Sequence, residues 1–509
     1  MSARFAHNSA FGIVAGLATT FGSFVSTVII TRLLGAEEFG AVAFVVWLVT
    51  IITVVADLGI PATLARFLPE LFGRGNSDEA ARLSGYLFRP FAISTLILFG
   101  GFALLAASIF VMQPGRPTAF LSVSPQGEAL VWFLIGLSCA TKAFASLAVG
   151  YLQGLQQFGR VAKLTVVALA VQIVTLVAGS LLFGVPGALV GYMAGSIPLV
   201  FAGFSMVRRD VTISSELKNR VVRYAGFTWA AAIGSTFVWS RVELFFLERY
   251  WGYEAVGVFT VSLTLASLAT QGPQLLTRGL LAHFSERFGQ NSIDSMHRTY
   301  RVGTRLMAFL AFPACLGMAA VAPKLVPLLF GPAFVDAVPS AVILTSVSAL
   351  VAVTTVGAQL VFAMERSDFV FLCNVVGMAL FILAGETAIY AFGTTGAAYS
   401  RAAIQILMIA AGSWFVARKL GCPLPLEALG RLLLAAVLCA LVARITIDLV
   451  PGPIALGPAI VLGAIAYVAA VRLMHALPQS DIEQIRALVR NLPRPVEVLT
   501  RPLLLLISR

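Results

Sequence analysis

Apolar residues in this chain come in blocks of roughly 20 from end to end, the length that crosses a hydrocarbon core of about 30 Å at 1.5 Å rise per residue. Fourteen such blocks are legible, at 10–31, 41–63, 84–112, 128–149, 163–183, 187–207, 224–247, 256–277, 304–323, 338–362, 369–391, 394–416, 431–450 and 457–474. With 59% hydrophobic and 11% charged residues, there is too little polar surface to coat a soluble domain. The expected fold is therefore an all-α polytopic membrane protein with about 14 transmembrane helices. Only Arg4 precedes the first block and a second block follows at once, so the first reads as a span and not as a cleavable signal peptide.

Cations fix the expected orientation, because Lys and Arg near span ends resist translocation. With the N-terminus inside, 26 of the 35 Lys and Arg fall on the inner side and five on the outer side. Both termini are thus expected in the cytoplasm, at a cell's inner (plasma) membrane. The net charge of +12 is absorbed by this asymmetry. Anionic lipid of the bilayer is a sufficient partner for it, and no nucleic acid is implied. Cys139, Cys315, Cys373 and Cys439 lie within spans and Cys422 in an inner loop, so no disulfide is expected.

An internal repeat carries the most information. The turn after the first span, Arg32-Leu33-Leu34-Gly35-Ala36-Glu37-Glu38-Phe39-Gly40, and the turn after the seventh, Arg249-Tyr250-Trp251-Gly252-Tyr253-Glu254-Ala255-Val256-Gly257, both fit R-x-x-G-x-E-x-φ-G. The inner stretches from Phe72 and Phe288 share F-G, then N-S, then Asp. Phe183-Gly184 before the sixth span matches Phe392-Gly393 before the twelfth, and Arg208-Arg209 closes the sixth as Arg418-Lys419 closes the twelfth. The four matches keep their order at offsets of 209 to 217. Six spans per copy give both copies the same orientation, related by a pseudo-twofold along the membrane normal with a cleft between them, an arrangement of secondary transporters. The expected domains are two parallel six-helix bundles, 1–210 and 211–420, two further spans in 421–475, and a cytoplasmic amphipathic tail, 476–509, built on Ile482, Ile485, Leu488, Val489 and Leu492.

Enzymatic readings lose ground on what is missing. There is no G-x-x-x-x-G-K-[ST], no H-E-x-x-H and no Cys/His cluster at metal spacing, and the outer loops are too short for a catalytic domain. No cofactor and no enzyme activity are expected.

Charges inside spans cost about 2.5–3.5 kcal/mol each and call for a reason. Seven qualify: Asp57, Arg89, Lys142, Arg241, Glu243, Glu386 and Arg401. A wet cleft that binds an anionic head group is the functional explanation; ion pairs and snorkelling are the structural one. Arg241 and Glu243 sit two apart, about 200° around one helix, so one of them is expected to face the cleft, and Arg241 is favoured. Lys142 lies deep with no acid within a turn on its own span, and is the second cleft candidate. Glu386 and Arg401 suit a packing pair as readily as a site, Arg89 suits a membrane-edge anchor, and Asp57, before Gly59 and Pro61, suits a helix cap or kink as easily as a proton site. Gly16, Thr19, Ser23 and Thr27 share a face of the first span, where close small-residue packing is the plainer explanation.

The stretch "ITRLLGAEEFGAVAFVVWLVTIITVVADLGIPATLARFLPEL" (30–71) resembles the opening of the polysaccharide-transporter branch of the multidrug/oligosaccharidyl-lipid/polysaccharide (MOP) flippase superfamily. So do "SRVELFFLERYWGYEAVGVF" from Ser240, with Arg241 and Glu243 on an R-x-D/E pattern, and "LVPLLFGPAFVDAVPSAVILTSVS" from Leu325. The resemblance implies a flippase that moves an undecaprenyl-pyrophosphate-linked oligosaccharide from the inner to the outer leaflet by alternating access, for polysaccharide or O-antigen export, with polysaccharide-assembly proteins as the implied partner class. Its cationic cleft would hold the pyrophosphate, which adds weight to Arg241. The Arg-rich pattern of the lipid II flippase branch is absent around the second span, and the first span lacks the acidic residue frequent in drug antiporters. An ion-coupled multidrug exporter, a lipid II flippase and, less readily, a membrane glycosyltransferase are the rival readings.

Overall fold

The computed structural model describes residues 3–112, 125–203, 212–239, 241–275, 277, 280–290, 292–364 and 366–478. The first helices are α1 (Ala3–Ala56), α2 (Ile60–Gly73), α3 (Ser77–Met112), α4 (Pro125–Gly154), α5 (Phe158–Ala194), α6 (Ile197–Gly203), α7 (Ser215–Trp239) and α8 (Glu243–Leu275). They are followed by α9 (Leu280–Gly289), α10 (Ile293–Phe330), α11 (Ala337–Ala363), α12 (Ser367–Leu380), α13 (Glu386–Lys419), α14 (Leu426–Leu449) and α15 (Leu456–Leu473). No strand occurs among the described residues, and the chain is a multi-pass all-α membrane protein.

Ten segments among the described residues are long and apolar enough to cross a bilayer. Three of them run to 39, 46 and 52 residues, well beyond the roughly 20 that one crossing takes. Each of those three contains a glycine whose backbone leaves the helix. The fourteen spans read from the sequence count the two sides of each of these three breaks separately and add the seventh span, most of which lies on α7, a helix not among the ten segments found in the described residues.

The breaks carry the repeat into the backbone. Gly35 in α1 (φ 79°, ψ −172°) and Gly252 in α8 (φ 76°, ψ −174°) share one conformation. Gly184 in α5 (φ 57°, ψ −131°) and Gly393 in α13 (φ 56°, ψ −131°) share another. These are the glycines of the matched turn motifs. No atom comes within 4 Å of where a Cβ would sit on Gly35 or Gly252, so the dihedral and not crowding demands glycine there.

Two compact units divide the chain, residues 1–257 and 258–509. In the first, Leu64, Phe67 and Leu68 of α2, Leu83 and Phe91 of α3, Leu147 of α4 and Val221 of α7 form a buried cluster. In the second, α14 and α15 pack on α10, where Phe312 and Cys315 meet Leu432, Ala436 and Tyr467, and the Tyr467 hydroxyl donates to the Phe309 carbonyl at 2.8 Å. Two cations clamp this hairpin through helix C-termini, which carry unsatisfied carbonyls and partial negative charge. Lys324 Nζ donates to the carbonyls of Ile447 and Val450 (2.6 Å to the latter) at the end of α14. Arg431 Nη1 donates to those of Met474 and His475, at 3.2 and 3.3 Å, just past α15. The last two spans, an appendage by sequence, are thereby bonded into the second unit.

Two local expectations need correction. The inner stretch from Phe72, expected as a loop after the second span, is mostly helical, since α2 runs to Gly73 and α3 starts at Ser77 with only the turn 74–76 between them. Charges end an apolar block but not a helix: α2 buries Leu64, Phe67, Leu68 and Leu71 on one face and exposes Arg66 on another. The seventh span is not one continuous helix either. α7 stops at Trp239 and α8 starts at Glu243, with Arg241 left-handed (φ 66°) between them. An apolar run does not register a break in backbone hydrogen bonding, so the 200° relation assumed for Arg241 and Glu243 does not apply. The tail helix expected around 482–492 and the Arg208-Arg209 pair lie outside the described residues.

Candidate functional site

The second span breaks after Ala56. Leu58 and Gly59 are left-handed (φ 51° and 68°), Pro61 opens α2, and Asp57 Oδ1 accepts the Gly59 N–H at 2.8 Å. A Cβ on Gly59 would lie 2.6 Å from the Ala225 carbonyl oxygen and 3.0 Å from the Trp229 nitrogen, so α7 seats directly on the break. Trp229 Nε1 adds a bond to the Val55 carbonyl at 3.1 Å. The Asp57 carboxylate thus serves locally as a cap to a kinked span.

Two turns before Asp57 on α1 lies Thr50. Lys142 Nζ of α4 donates to Thr50 Oγ1 at 2.8 Å, and that hydroxyl donates to the Val46 carbonyl at 2.8 Å. Cys139, one turn before Lys142, is fully buried with its Sγ 4.0 Å from the Val49 carbonyl oxygen. Thr50 was not singled out from the sequence. Its place seven residues before Asp57, on the same helical face, was the available signal.

Arg241 is half-buried in the interruption between α7 and α8, and Glu243 opens α8 with its side chain buried. The Arg241 guanidinium is close enough to the half-buried Tyr192 of α5 to interact electrostatically. In the second unit Glu386 and Arg401 are half-buried on the same helix, α13, on opposite sides of its break at Gly393. Glu386 directly follows a π-turn, 381–385, the kind of helix defect that recurs at functional sites. All four residues make interactions of their own. Arg89 of α3 is exposed, as a membrane-edge anchor would be.

A charge network at the end of α2 also escaped the sequence reading in part. Glu70 accepts from Arg66 (3.0 Å), Arg74 (2.7 Å) and Arg220 of α7 (2.9 Å). Arg66 and Arg220 both lie over the Phe67 ring, at 5.6 and 5.5 Å from its centroid. The hydrogen bond from Arg220 is the main force holding the Glu70 carboxyl below its ordinary value of 4.5; the charges of the three arginines reinforce it against a smaller opposing effect of burial.

The family described as "Polysaccharide biosynthesis protein" matches residues 5–273. The teichuronic acid biosynthesis protein TuaB of Bacillus subtilis (strain 168) is 21% identical over 179 residues, 35% of this chain; the match spans 37% of that relative's length. Among solved structures, the lipid II flippase MurJ in an inward closed conformation aligns with a TM-score of 0.75 at 12% identity, over 92% of this chain and 98% of MurJ. An inward-facing multidrug resistance MATE family transporter of the MOP superfamily aligns at 0.62 and 14% identity, over 79% and 94%. A MOP superfamily transporter from Pyrococcus furiosus Vc1 aligns at 0.55 and 15%, over 82% and 95%. At such identities these likenesses establish a shared fold.

Proposed function

We propose, from the premise that this chain belongs to the polysaccharide biosynthesis protein family and has the MOP transporter fold, that it is a flippase for a lipid-linked oligosaccharide. Its cargo is an undecaprenyl-pyrophosphate-linked sugar, carried from the inner to the outer leaflet of the plasma membrane by alternating access, with both termini cytoplasmic. It works as a transporter and not as an enzyme, and polysaccharide-assembly proteins are its partner class.

The observation that carries the reading, beside the family match, is the unwound segment at Arg241. A guanidinium held in a helix interruption within an apolar run, at the N-terminal end of the helix that follows, combines two features that favour phosphate oxygens. Arg241 is therefore the proposed pyrophosphate contact, with Glu243 setting its position. Lys142 belongs to the transport step and not to a structural ion pair, since its partner is the Thr50 hydroxyl. Asp57 shapes the second span. Glu386 and Arg401 are the corresponding charges of the second unit.

The test is gene deletion followed by mass analysis of polyprenyl lipids in the inner leaflet. A stalled polyprenyl-pyrophosphate oligosaccharide with loss of surface glycan is the expected result, restored by the wild type and not by Arg241→Ala. Normal surface glycan with no stalled intermediate overturns the proposal. Drug sensitivity in its place points to the multidrug exporter.

A further inference from the structure

We propose that Lys142 is a proton-carrying site, binding and releasing a proton in the course of the transport cycle; this rests on the transport reading above. The ammonium lies between α4 and α1 with one hydrogen bond, to Thr50 Oγ1 at 2.8 Å. No carboxylate pairs with it among the described residues, although an ammonium in a span costs several kcal/mol without compensation. Its surroundings hold few titratable groups. On α4 there are Glu128, Cys139 and Tyr151, on α1 Arg32, Glu37 and Glu38, and just past the end of α1 Asp57, whose Oδ1 already accepts the Gly59 N–H. The charged and titratable residues of α2 and its C-terminal end (Arg66, Glu70, Arg74), α3 (Asp78, Glu79, Arg82, Tyr86, Arg89) and α5 (Arg160, Lys163, Tyr192) make no ion pair or hydrogen bond with Nζ, and α6 has none.

The neighbouring donors decide what such a site holds. Thr50 donates to the Val46 carbonyl at 2.8 Å, Thr53 to Val49 at 2.6 Å, Thr141 to Leu137 at 3.0 Å, and Cys139 faces the Val49 carbonyl. These four O–H and S–H groups are committed to backbone, so among them and Lys142 an arriving anion finds one available donor group, the ammonium itself. A phosphate or chloride site needs several convergent donors. What the hydroxyls offer is lone pairs, which suit a proton on nitrogen.

Thr50 also suits both protonation states. While Nζ is an ammonium, Thr50 Oγ1 accepts from it. When one N–H bond breaks, its electron pair stays on nitrogen and the proton passes to water; the hydroxyl can then turn its O–H from the Val46 carbonyl to the amine lone pair. Reprotonation from water on the other side reverses the step. A carboxylate partner would have fixed the charge, whereas a hydroxyl leaves it free to change.

The chain has five lysines, so full-length protein labelled with 13Cε-lysine in nanodiscs gives a countable NMR spectrum, with Lys142 assigned by its loss in Lys142→Arg. The expected Lys142 signal moves reversibly between ammonium and amine positions over the pH range in which the protein stays folded; a signal that stays ammonium throughout overturns the proposal. This measurement uses the wild type, so poor insertion of a variant does not blunt it. In proteoliposomes, with a synthetic short-chain polyprenyl-pyrophosphate disaccharide as probe, a one-unit pH gradient should speed wild-type movement by up to about tenfold per proton. Lys142→Arg and Lys142→Gln should each lose that response. Gradient stimulation that survives in Lys142→Gln, or that a sodium gradient reproduces, sinks the proton site and leaves the flippase standing. A titrating Lys142 in a protein that moves no probe does the reverse.

Discussion

Gly40 and Gly257 lie back to back. A Cβ built on Gly40 would sit 2.9 Å from the Gly257 nitrogen and collide with the Tyr253 carbonyl, while one on Gly257 would sit 3.1 Å from the Gly40 nitrogen and collide with the Ala36 carbonyl. The two glycines end the two copies of the turn motif, 217 residues apart, and Ala36 and Tyr253 are separated by the same offset. Residue i meets j′ and j meets i′, the mark of a local twofold. The repeat is therefore a packing device as well as a sequence pattern.

Gly40→Val and Gly257→Val should each destabilise the protein by more than about 2 kcal/mol, because the blocking atoms are backbone and cannot rotate away. Gly226→Ala, in α7 with open space around it, should be neutral or stabilising by up to about 1 kcal/mol. Thermal denaturation in detergent compares the three. Equal melting of Gly40→Val and wild type would show that this contact does not exist.

The Glu70 network should be visible in acid. Its carboxyl is held below the ordinary value of 4.5, so its contribution is full above that pH and fades as the pH falls through the lower folded-state value. With a water-exposed network the contribution is about 0.5–1 kcal/mol. Melting curves of the wild type should therefore converge with those of Glu70→Gln on acidification below about pH 4.5 and separate above it. Curves that run parallel at every pH would remove the network from the stability of α2 and α7.

Lys324→Met and Arg431→Met should loosen the final hairpin. Each leaves two helix-terminal carbonyls without a charged donor, at a cost of about 1–3 kcal/mol. Hydrogen exchange read by mass spectrometry should rise at the α14 end, 446–450, in Lys324→Met, and around 470–476 in Arg431→Met. Unchanged protection in both would leave the apolar cluster around Phe312 and Tyr467 as the whole attachment.

Asp57→Ala should cost about 1 kcal/mol by removing the acceptor for the Gly59 N–H, and Asp57→Asn should keep most of that bond. Transport should follow stability in both variants. An Asn variant that is folded but inactive would give the carboxylate a task beyond shaping the span.

The sequence by itself determined whatever depends on neighbours along the chain. Block length set the membrane fold, the offset motifs set the repeat, and Gly35, Gly184, Gly252 and Gly393 were legible because a positive φ is a property of one residue. Arg66 and Arg74 around Glu70 follow the i,i+4 rule and could be read from α2 alone. Tertiary structure decided the rest. Arg220 reaches Glu70 across 150 residues and Lys142 reaches Thr50 across 92, pairings set by how helices pack and rotate, which leaves no mark on local spacing. The break at Arg241 escaped for a related reason: the run through Arg241 has the length of one span, and only backbone geometry shows where the helix stops.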